Sequence, residues 1–315
     1  MKKYLRLIGI LLFVFIFSKV NFGDVVQSLL QADWYLLSLV ALLNLLVVLF
    51  RAVRWVKLLE IQNYSFGLPE AFWSYLRSLY LGNVTPGRVG ELSRVHYLMK
   101  YININSAVAT SGVIYDRILD TYFVLILGVL GLVMSDVWAQ YLWLKIMLIS
   151  FMFIIPVVFF VPNFSLSMAS FLPNMWNLKE KVSGWLEHFF DAIKAFLTWK
   201  VLPSVVITFF IYFIFFVQCI LLAYAMNLHI DMFYLIFCVV VFSALSVLPI
   251  SVSNMGTREF SLIFMFSYVG ITSEVAVTYS LLFFITINIL LALFGWLAYL
   301  FYKDKSVDLE NQIQV

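Results

Sequence analysis

The sequence predicts an all-α polytopic membrane protein, and both its composition and its apolar segments indicate that class. Hydrophobic residues make up 64% of the 315 residues and charged residues 12%. Soluble domains are ~45–50% apolar and ~25% charged, so a soluble fold of this length would lack polar residues to cover its surface. The composition therefore excludes an ordinary soluble enzyme, a disordered chain and a secreted disulfide scaffold.

About eight apolar segments can contribute to a membrane domain, since a spanning helix needs about 20 mostly apolar residues. They lie near residues 7–20, 34–52, 114–135, 138–161, 204–226, 231–248, 259–271 and 275–302. We expect a single membrane domain over 1–305, followed by a short polar tail at 306–315.

The basic residues indicate the orientation of these segments, because Lys and Arg concentrate on the cytoplasmic side of a membrane. With the N-terminus inside, 18 of the 20 Lys and Arg residues fall in cytoplasmic segments, and only Lys19 and Lys145 fall elsewhere. We therefore expect a protein of the cytoplasmic membrane with both termini inside.

Two interrupted segments, 71–100 and 231–271, are expected to be re-entrant hairpins. The apolar run 259–271 is short for a full span. Gly/Pro-interrupted segments in both halves of a membrane protein are the best sequence indication of a transport site. The expected hinge residues are Asn83, Pro86, Gly87, Gly90, Pro249 and Gly256. The alternative is two unrelated irregular loops, with two full spans in 231–271.

Segment 176–200 lies between these hairpins and has an apolar face at helical spacing, which includes Trp185, Phe189 and Ile193. A proline, Pro203, ends the element. We expect an amphipathic helix in the inner interface, which is most simply a structural collar without a specific ligand.

The first charged cluster contains Arg88, Glu91 and Arg94, within Thr85-Pro-Gly-Arg-Val-Gly-Glu-Leu-Ser-Arg94. Ionisable groups inside a membrane are costly and usually functional. The two guanidinium groups suit a phosphate, and Glu91 can hold one of them or accept from a cationic headgroup. The alternative is an inner-surface loop whose arginines only satisfy the charge bias.

The second charged cluster is Asp116-Arg117-Ile-Leu-Asp120, at the start of a span. Spacings of three and four residues allow Asp116, Arg117 and Asp120 to share a helix face. Two carboxylates beside one guanidinium leave a net negative site, unless they pair with Arg88 or Arg94. A structural ion-pair network is the alternative to a functional site.

The third charged cluster is Arg258-Glu259, the only charged residues between Asp231 and Glu274. Their isolation in an apolar region argues against a random surface position. A pair that simply neutralises itself is the alternative.

Several function classes find no support in the sequence. It contains no G-x-x-x-x-G-K-[ST] phosphate loop, no G-x-S-x-G elbow and no H-E-x-x-H pair. Cys219 and Cys238 form no C-x-x-C motif, and the histidines have no zinc spacing. We expect no catalytic residues, no metal, no cofactor and no nucleic-acid partner.

The three clusters together resemble the flippase-like transmembrane region of lysylphosphatidylglycerol synthases, which also occurs as stand-alone membrane proteins. The resemblance lies in Asn83–Arg94, Asp116–Asp120 and Gly256–Glu259 and covers nearly the whole chain. Residues 252–254 depart from it, because the family pattern is richer in glycine there. In full-length synthases a soluble domain that transfers lysine follows the membrane region, whereas this chain stops at Val315. The resemblance therefore implies lipid translocation without aminoacyl transfer.

The leading hypothesis is a transporter rather than an enzyme, which moves a phospholipid or another anionic lipid-linked molecule across the membrane. Its expected partners are membrane lipids, with Arg88, Arg94 and Arg258 on the headgroup phosphate. The residues expected to balance those charges or to couple protons are Glu91, Asp116, Asp120 and Glu259. The alternatives are a membrane-embedded transferase with a lipid-linked donor, and a non-transporting scaffold for an envelope lipid-synthesis enzyme.

Overall fold

The computed structural model describes residues 22–134, 178–245 and 255–301, together with residues 146, 149, 150, 152 and 153. The regular elements of these residues are all helical, which confirms the expected all-α class. The helices are α1 (Phe22–Gln31), α2 (Trp34–Ile61), α3 (Leu68–Val84), α4 (Ser93–Ile102), α5 (Ser106–Met134), α6 (Leu178–Lys194), α7 (Leu202–Ala225), α8 (Met232–Leu245), α9 (Thr257–Ser267), α10 (Ser273–Phe283) and α11 (Leu290–Phe301).

Three shorter elements connect these helices. A 3₁₀ turn, Pro86–Leu92, lies between α3 and α4, and a second, Trp199–Val201, precedes α7. A π-helical turn, Phe284–Ile289, joins α10 to α11. Four predictions fall outside the described residues: the run 7–20, most of the run 138–161, the hinge Pro249 and the tail 306–315.

Three described stretches are long and apolar enough to cross a membrane: Trp34–Ile61, Trp199–Ala225 and Ser273–Phe301. They match predicted runs and confirm a membrane-embedded chain. The first of these helices continues to Ile61, beyond the end of the predicted apolar run at residue 52. Its last turns contain basic residues, which hydropathy does not count as part of a span. Asn105 accepts a hydrogen bond from the backbone N–H of Ala107 at 2.8 Å, and α5 therefore begins before its predicted apolar run.

The helices α8 and α9 contain 14 and 11 residues. At 1.5 Å per residue α9 is about 16 Å long, less than the ~30 Å of a bilayer core, whereas Leu245 is the last residue of α8 that the structure describes. The two helices pack against each other, and their link lies outside the described residues. The re-entrant hairpin over 231–271 stays a prediction, which the short length of α9 favours.

The remaining helices pack in pairs around the site described below. Helix α2 packs against α7, and α3 packs against α11 at Gly295. A Cβ atom on Gly295 would overlap the carbonyl oxygen of Leu76, so this close approach requires glycine. Helix α6 buries Phe189 and Ile193 against α5 and exposes its opposite face, as an amphipathic helix does. It ends at Lys194, before the predicted boundary at residue 200.

Candidate functional site

The break between α3 and α4 is a tight turn held by Thr85. The Thr85 hydroxyl donates to the carbonyl of Leu81 at 2.9 Å and accepts from the N–H of Gly90 at 2.7 Å. A Cβ atom on Gly90 would overlap the Leu81 carbonyl, so the returning backbone can pass this close only as glycine. Pro86 begins the 3₁₀ turn, where its missing N–H costs little.

Arg88 lies at the tip of this turn in an unusual backbone conformation. Its φ is +55°, in the left-handed region that non-glycine residues rarely adopt. The residue is exposed, and its guanidinium makes a long contact of 3.5 Å with Oδ1 of Asn288. Non-glycine residues in such regions cost about 1–3 kcal/mol and cluster at ligand sites. The turn therefore holds the exposed guanidinium of Arg88 in a backbone conformation that costs conformational energy.

Asp116 of α5 is the centre of a buried ion network. Its Oδ1 accepts from Nε of Arg54 at 2.8 Å, and its Oδ2 accepts from Nη1 of Arg94 at 2.8 Å. The Tyr75 hydroxyl adds a third hydrogen bond at 3.1 Å. All four side chains are buried. Asp116 thus joins α2, α3 and α4 to α5 through charge-assisted hydrogen bonds.

Arg54 also contacts the second carboxylate of α5. Its Nη1 donates to Oδ1 of Asp120 at 2.7 Å and to the Thr208 hydroxyl at 2.9 Å. The other oxygen of Asp120 is buried and has no hydrogen-bond partner among the described residues. Arg51 lies within electrostatic range of Asp120, and its buried Nε also lacks a partner in the described structure. The cluster therefore retains unused donors and acceptors.

Arg117 turns to Glu91 instead of to the two aspartates. Glu91 of the 3₁₀ turn forms an ion pair with Arg117 and lies 4.0 Å from Nη2 of Arg94. The guanidinium of Arg94 in turn stacks over the ring of Tyr75, with its Cζ 4.3 Å from the ring centroid. The expectation that Arg117 can share a face with Asp116 and Asp120 stays a prediction, since Arg117 pairs with Glu91 and also lies within electrostatic range of Asp120.

We call this set the arginine cluster. Its members are Arg51, Arg54, Arg94 and Arg117 with Glu91, Asp116 and Asp120. Four guanidinium groups face three carboxylates, so these described residues carry one net positive charge when all are ionised. The exposed Arg88 lies within electrostatic range of Arg51 and Arg117 and adds a second. The sequence left open whether the two aspartates leave a net negative site or pair with Arg88 or Arg94. The structure shows Asp116 paired with Arg94.

Arg258 and Glu259 form a separate buried pair at the start of α9. Nη2 of Arg258 donates to Oε1 of Glu259 at 2.5 Å, and the Ser280 hydroxyl of α10 bridges both side chains at 2.7 Å. The N–H of Gly256, at φ +83°, donates to Oε2 of Glu259 at 2.7 Å. Both charged side chains are buried, and both carboxylate oxygens of Glu259 accept hydrogen bonds.

The π-helical turn lies between the two charged sites. The Cζ of Arg258 is 4.9 Å from the Phe284 ring centroid, whereas Arg88 and Asn83 contact Asn288 at the other end of the turn. Asn44 of α2 donates to the carbonyl of Thr286 at 2.6 Å. Single π-turns in helices occur frequently at functional sites. The turn therefore connects the predicted hairpin residues of both halves.

The structure places the predicted residues in three settings. Glu91, Arg94, Asp116, Arg117 and Asp120 come together in the arginine cluster, and Arg258 and Glu259 form their own pair. Arg88 is exposed on the turn and lies within electrostatic range of Arg51 and Arg117. The sequence analysis missed Arg51, Arg54 and Tyr75, although two arginines three residues apart after an apolar run were a signal for them.

Comparisons with known proteins agree with the motifs. The model of the lysylphosphatidylglycerol synthase TM region family matches residues 5–295. A UPF0104 membrane protein of Methanocaldococcus jannaschii is 24% identical over 324 aligned positions, which cover 96% of this chain and 95% of that protein.

A second relative is more limited in its match. A UPF0104 membrane protein of Methanothermobacter thermautotrophicus is 25% identical over 169 positions, which cover 52% of this chain and 47% of that protein. No solved structure matches the chain. From the match over residues 5–295, the chain belongs to the family of the lysylphosphatidylglycerol synthase transmembrane region.

Proposed function

We propose that the protein translocates a phospholipid or another anionic lipid-linked molecule across the cytoplasmic membrane. The observation that carries this proposal is the net positive arginine cluster, which has the exposed cation Arg88 within its electrostatic range. Cations held inside a membrane-embedded helical protein favour an anionic ligand, because removing charge from water is costly without a partner.

The three arginines that the sequence analysis expects on the phosphate differ in burial, and we therefore assign them different roles. Arg94 and Arg258 are 0% and 3% exposed and are already ion-paired, so neither is open to a headgroup in this conformation. Arg88 is the member of the predicted phosphate set that a lipid can reach directly. We assign Arg94 and Arg258 to holding the helices in place. Of the three arginines that the sequence analysis expects on the headgroup phosphate, only Arg88 keeps that role in the proposal.

The unused groups of the arginine cluster supply the next contacts for a headgroup. The partnerless Nε of Arg51 suits a phosphate oxygen, and the free oxygen of Asp120 suits a hydroxyl or ammonium group of the headgroup. Glu91 lies on the same 3₁₀ turn as Arg88, and its ion pair with Arg117 links that turn to α5. Opening of this pair is the simplest way to admit a ligand. No nucleotide-binding motif is present in the sequence, so the proposed movement is passive or ion-coupled.

Orientation completes the proposal. The Lys and Arg distribution supports an orientation with both termini on the cytoplasmic side. In this arrangement the α3–α4 turn enters from the cytoplasmic side and the α8–α9 pair from the opposite side, with acyl or polyprenyl tails remaining in lipid.

Reconstitution of the full chain tests this function. We expect proteoliposomes to translocate a fluorescent phosphatidylglycerol about tenfold faster than protein-free vesicles, and faster than the phosphatidylcholine analogue, since ~1.4 kcal/mol of barrier lowering is a factor of ten. Quenching of the outer leaflet with a membrane-impermeant reagent measures the rate. Mass spectrometry is expected to recover the lipid unchanged. A rate equal to that of protein-free vesicles contradicts translocation, and a covalently altered lipid identifies the transferase alternative instead.

A further inference from the structure

An apolar groove lies next to the arginine cluster but outside it, where α5, the end of α6 and the start of α7 meet. Its volume is about 420 Å³, within the ~300–1,000 Å³ of small-molecule sites. The residues that line it include Tyr115, Phe196, Thr198, Trp199, Leu202 and Val205. We call it the α7 groove.

The α7 groove has a rigid back and an open front. The rings of Tyr115 and Phe196 stack with centroids 4.3 Å apart, and both side chains are buried. Trp199, Leu202 and Val205 form the open side and are exposed. A surface recess lined by apolar side chains is complementary to an apolar ligand.

The depth of the groove follows from the residues before α7. Trp199 and Lys200 stand at the start of the stretch Trp199–Ala225, which is long and apolar enough to cross a membrane. Trp and Lys collect at the membrane–water interface. Thr198, Trp199 and Lys200 therefore lie at headgroup level, and Leu202 and Val205 lie deeper, beside the first carbons of the lipid tails.

We propose that the α7 groove binds one acyl chain of an anionic membrane lipid and that Lys200 pairs with the phosphate of that lipid. Lipid tails are the apolar molecules that surround a membrane helix at this depth. Lys200 is exposed and makes no ion pair with the described residues, so its charge is open to a headgroup. A juxtamembrane basic residue attracts anionic lipid.

The proposed lipid supports the helices that hold the arginine cluster. Tyr115 directly precedes Asp116, and Val205 lies one turn before Thr208, which binds Arg54. An acyl chain between Tyr115 and Val205 thus fills the contact between α5 and α7 next to the network. This binding site does not depend on translocation, so a negative result here leaves the proposed transport function untouched.

Photo-crosslinking tests the acyl-chain part. The full chain is placed in phosphatidylcholine nanodiscs that contain phosphatidylglycerol with a diazirine on its acyl chain, and the labelled peptides are identified by mass spectrometry. Val205→Trp fills the groove and is expected to lower labelling of the Phe196–Leu202 region about tenfold, equivalent to losing the burial of about two methylene groups. Val206→Trp is the matched control, because Val206 is 47% exposed and Val205 44%, yet only Val205 lines the groove.

The pairing of Lys200 with the lipid phosphate is tested by comparing two lipid probes. Lys200→Gln is expected to lower labelling by the phosphatidylglycerol probe about fivefold, the effect of about 1 kcal/mol per juxtamembrane basic residue, and to leave labelling by a phosphatidylcholine probe unchanged. Thermal unfolding of each variant confirms that it is folded. Wild-type labelling in Val205→Trp overturns the acyl-chain site, and equal losses for both probes in Lys200→Gln overturn the pairing with phosphate.

Discussion

Replacing Arg54 by alanine is expected to destabilise the protein by about 3–5 kcal/mol, because it leaves buried carboxylates without their partner. Arg54 is fully buried and donates to Asp116, to Asp120 and to Thr208. The carboxylate of Asp120 has no other hydrogen-bond donor among the described side chains, so it loses the most on this substitution. Chemical or thermal unfolding of the purified protein in detergent measures the loss, together with the yield of folded protein.

Lys57→Ala is the matched control for this prediction. Lys57 is on the same helix and pairs with Glu60, but both side chains are about half exposed. Exposed pairs contribute about 0–1 kcal/mol, so this variant should unfold close to wild type. If Arg54→Ala and Lys57→Ala lose similar stability, the buried network does not hold the helices together as described.

Replacing Glu259 by alanine is expected to cost a similar ~3–5 kcal/mol, since Arg258 then remains buried and charged without a counter-ion. The substitution also removes the acceptor for the Ser280 hydroxyl and for the N–H of Gly256. The start of α9 should loosen first, because Glu259 satisfies a backbone donor there. Hydrogen exchange of the α9 peptides, compared with those of α2, measures this local effect.

Glu187→Ala supplies the comparison for Glu259. Glu187 is exposed on α6, where surface substitutions change stability by about ±0.5 kcal/mol. A further variant, Arg258→Met combined with Glu259→Gln, removes both charges and should recover much of the loss, as replacement of buried ion pairs by apolar groups often does. Loss in the double variant as large as in Glu259→Ala would show that charge imbalance is not the cause.

The fold was largely predictable because long apolar runs have few alternatives in a membrane. Lipid cannot satisfy backbone N–H and carbonyl groups, so an apolar run of spanning length becomes a helix. The ends were less predictable: α2 continues to Ile61 because its basic residues point into the protein or into the interface, which hydropathy does not show. The π-helical turn has no sequence signal comparable to the proline and glycines of the α3–α4 turn.

The sequence predicted which carboxylates belong to the site, but it predicted their arginine partners less well. Asp116 and Asp120 share a face because four residues advance a helix by little more than one turn, and both bind Arg54. Arg117 is about 100° around the helix from Asp116, which turns it toward Glu91. Arg54 was missed because the charge bias of cytoplasmic segments already explained an arginine there.

The central claim is that Arg88, exposed and within electrostatic range of the net positive arginine cluster, engages the headgroup of an anionic lipid. Arg88→Gln removes the charge, and Arg88→Lys keeps it at the same position. Neither should alter stability greatly, because Arg88 is exposed and its hydrogen bond to Asn288 is long.

The most direct measurement is the rate at which proteoliposomes with each variant translocate phosphatidylglycerol, relative to phosphatidylcholine. A charge-assisted contact contributes about 1.5–3 kcal/mol, so Arg88→Gln should slow phosphatidylglycerol about tenfold or more while phosphatidylcholine changes little. Arg88→Lys should retain most of the wild-type preference. Translocation of phosphatidylglycerol by a folded Arg88→Gln protein at the wild-type rate would contradict the claim.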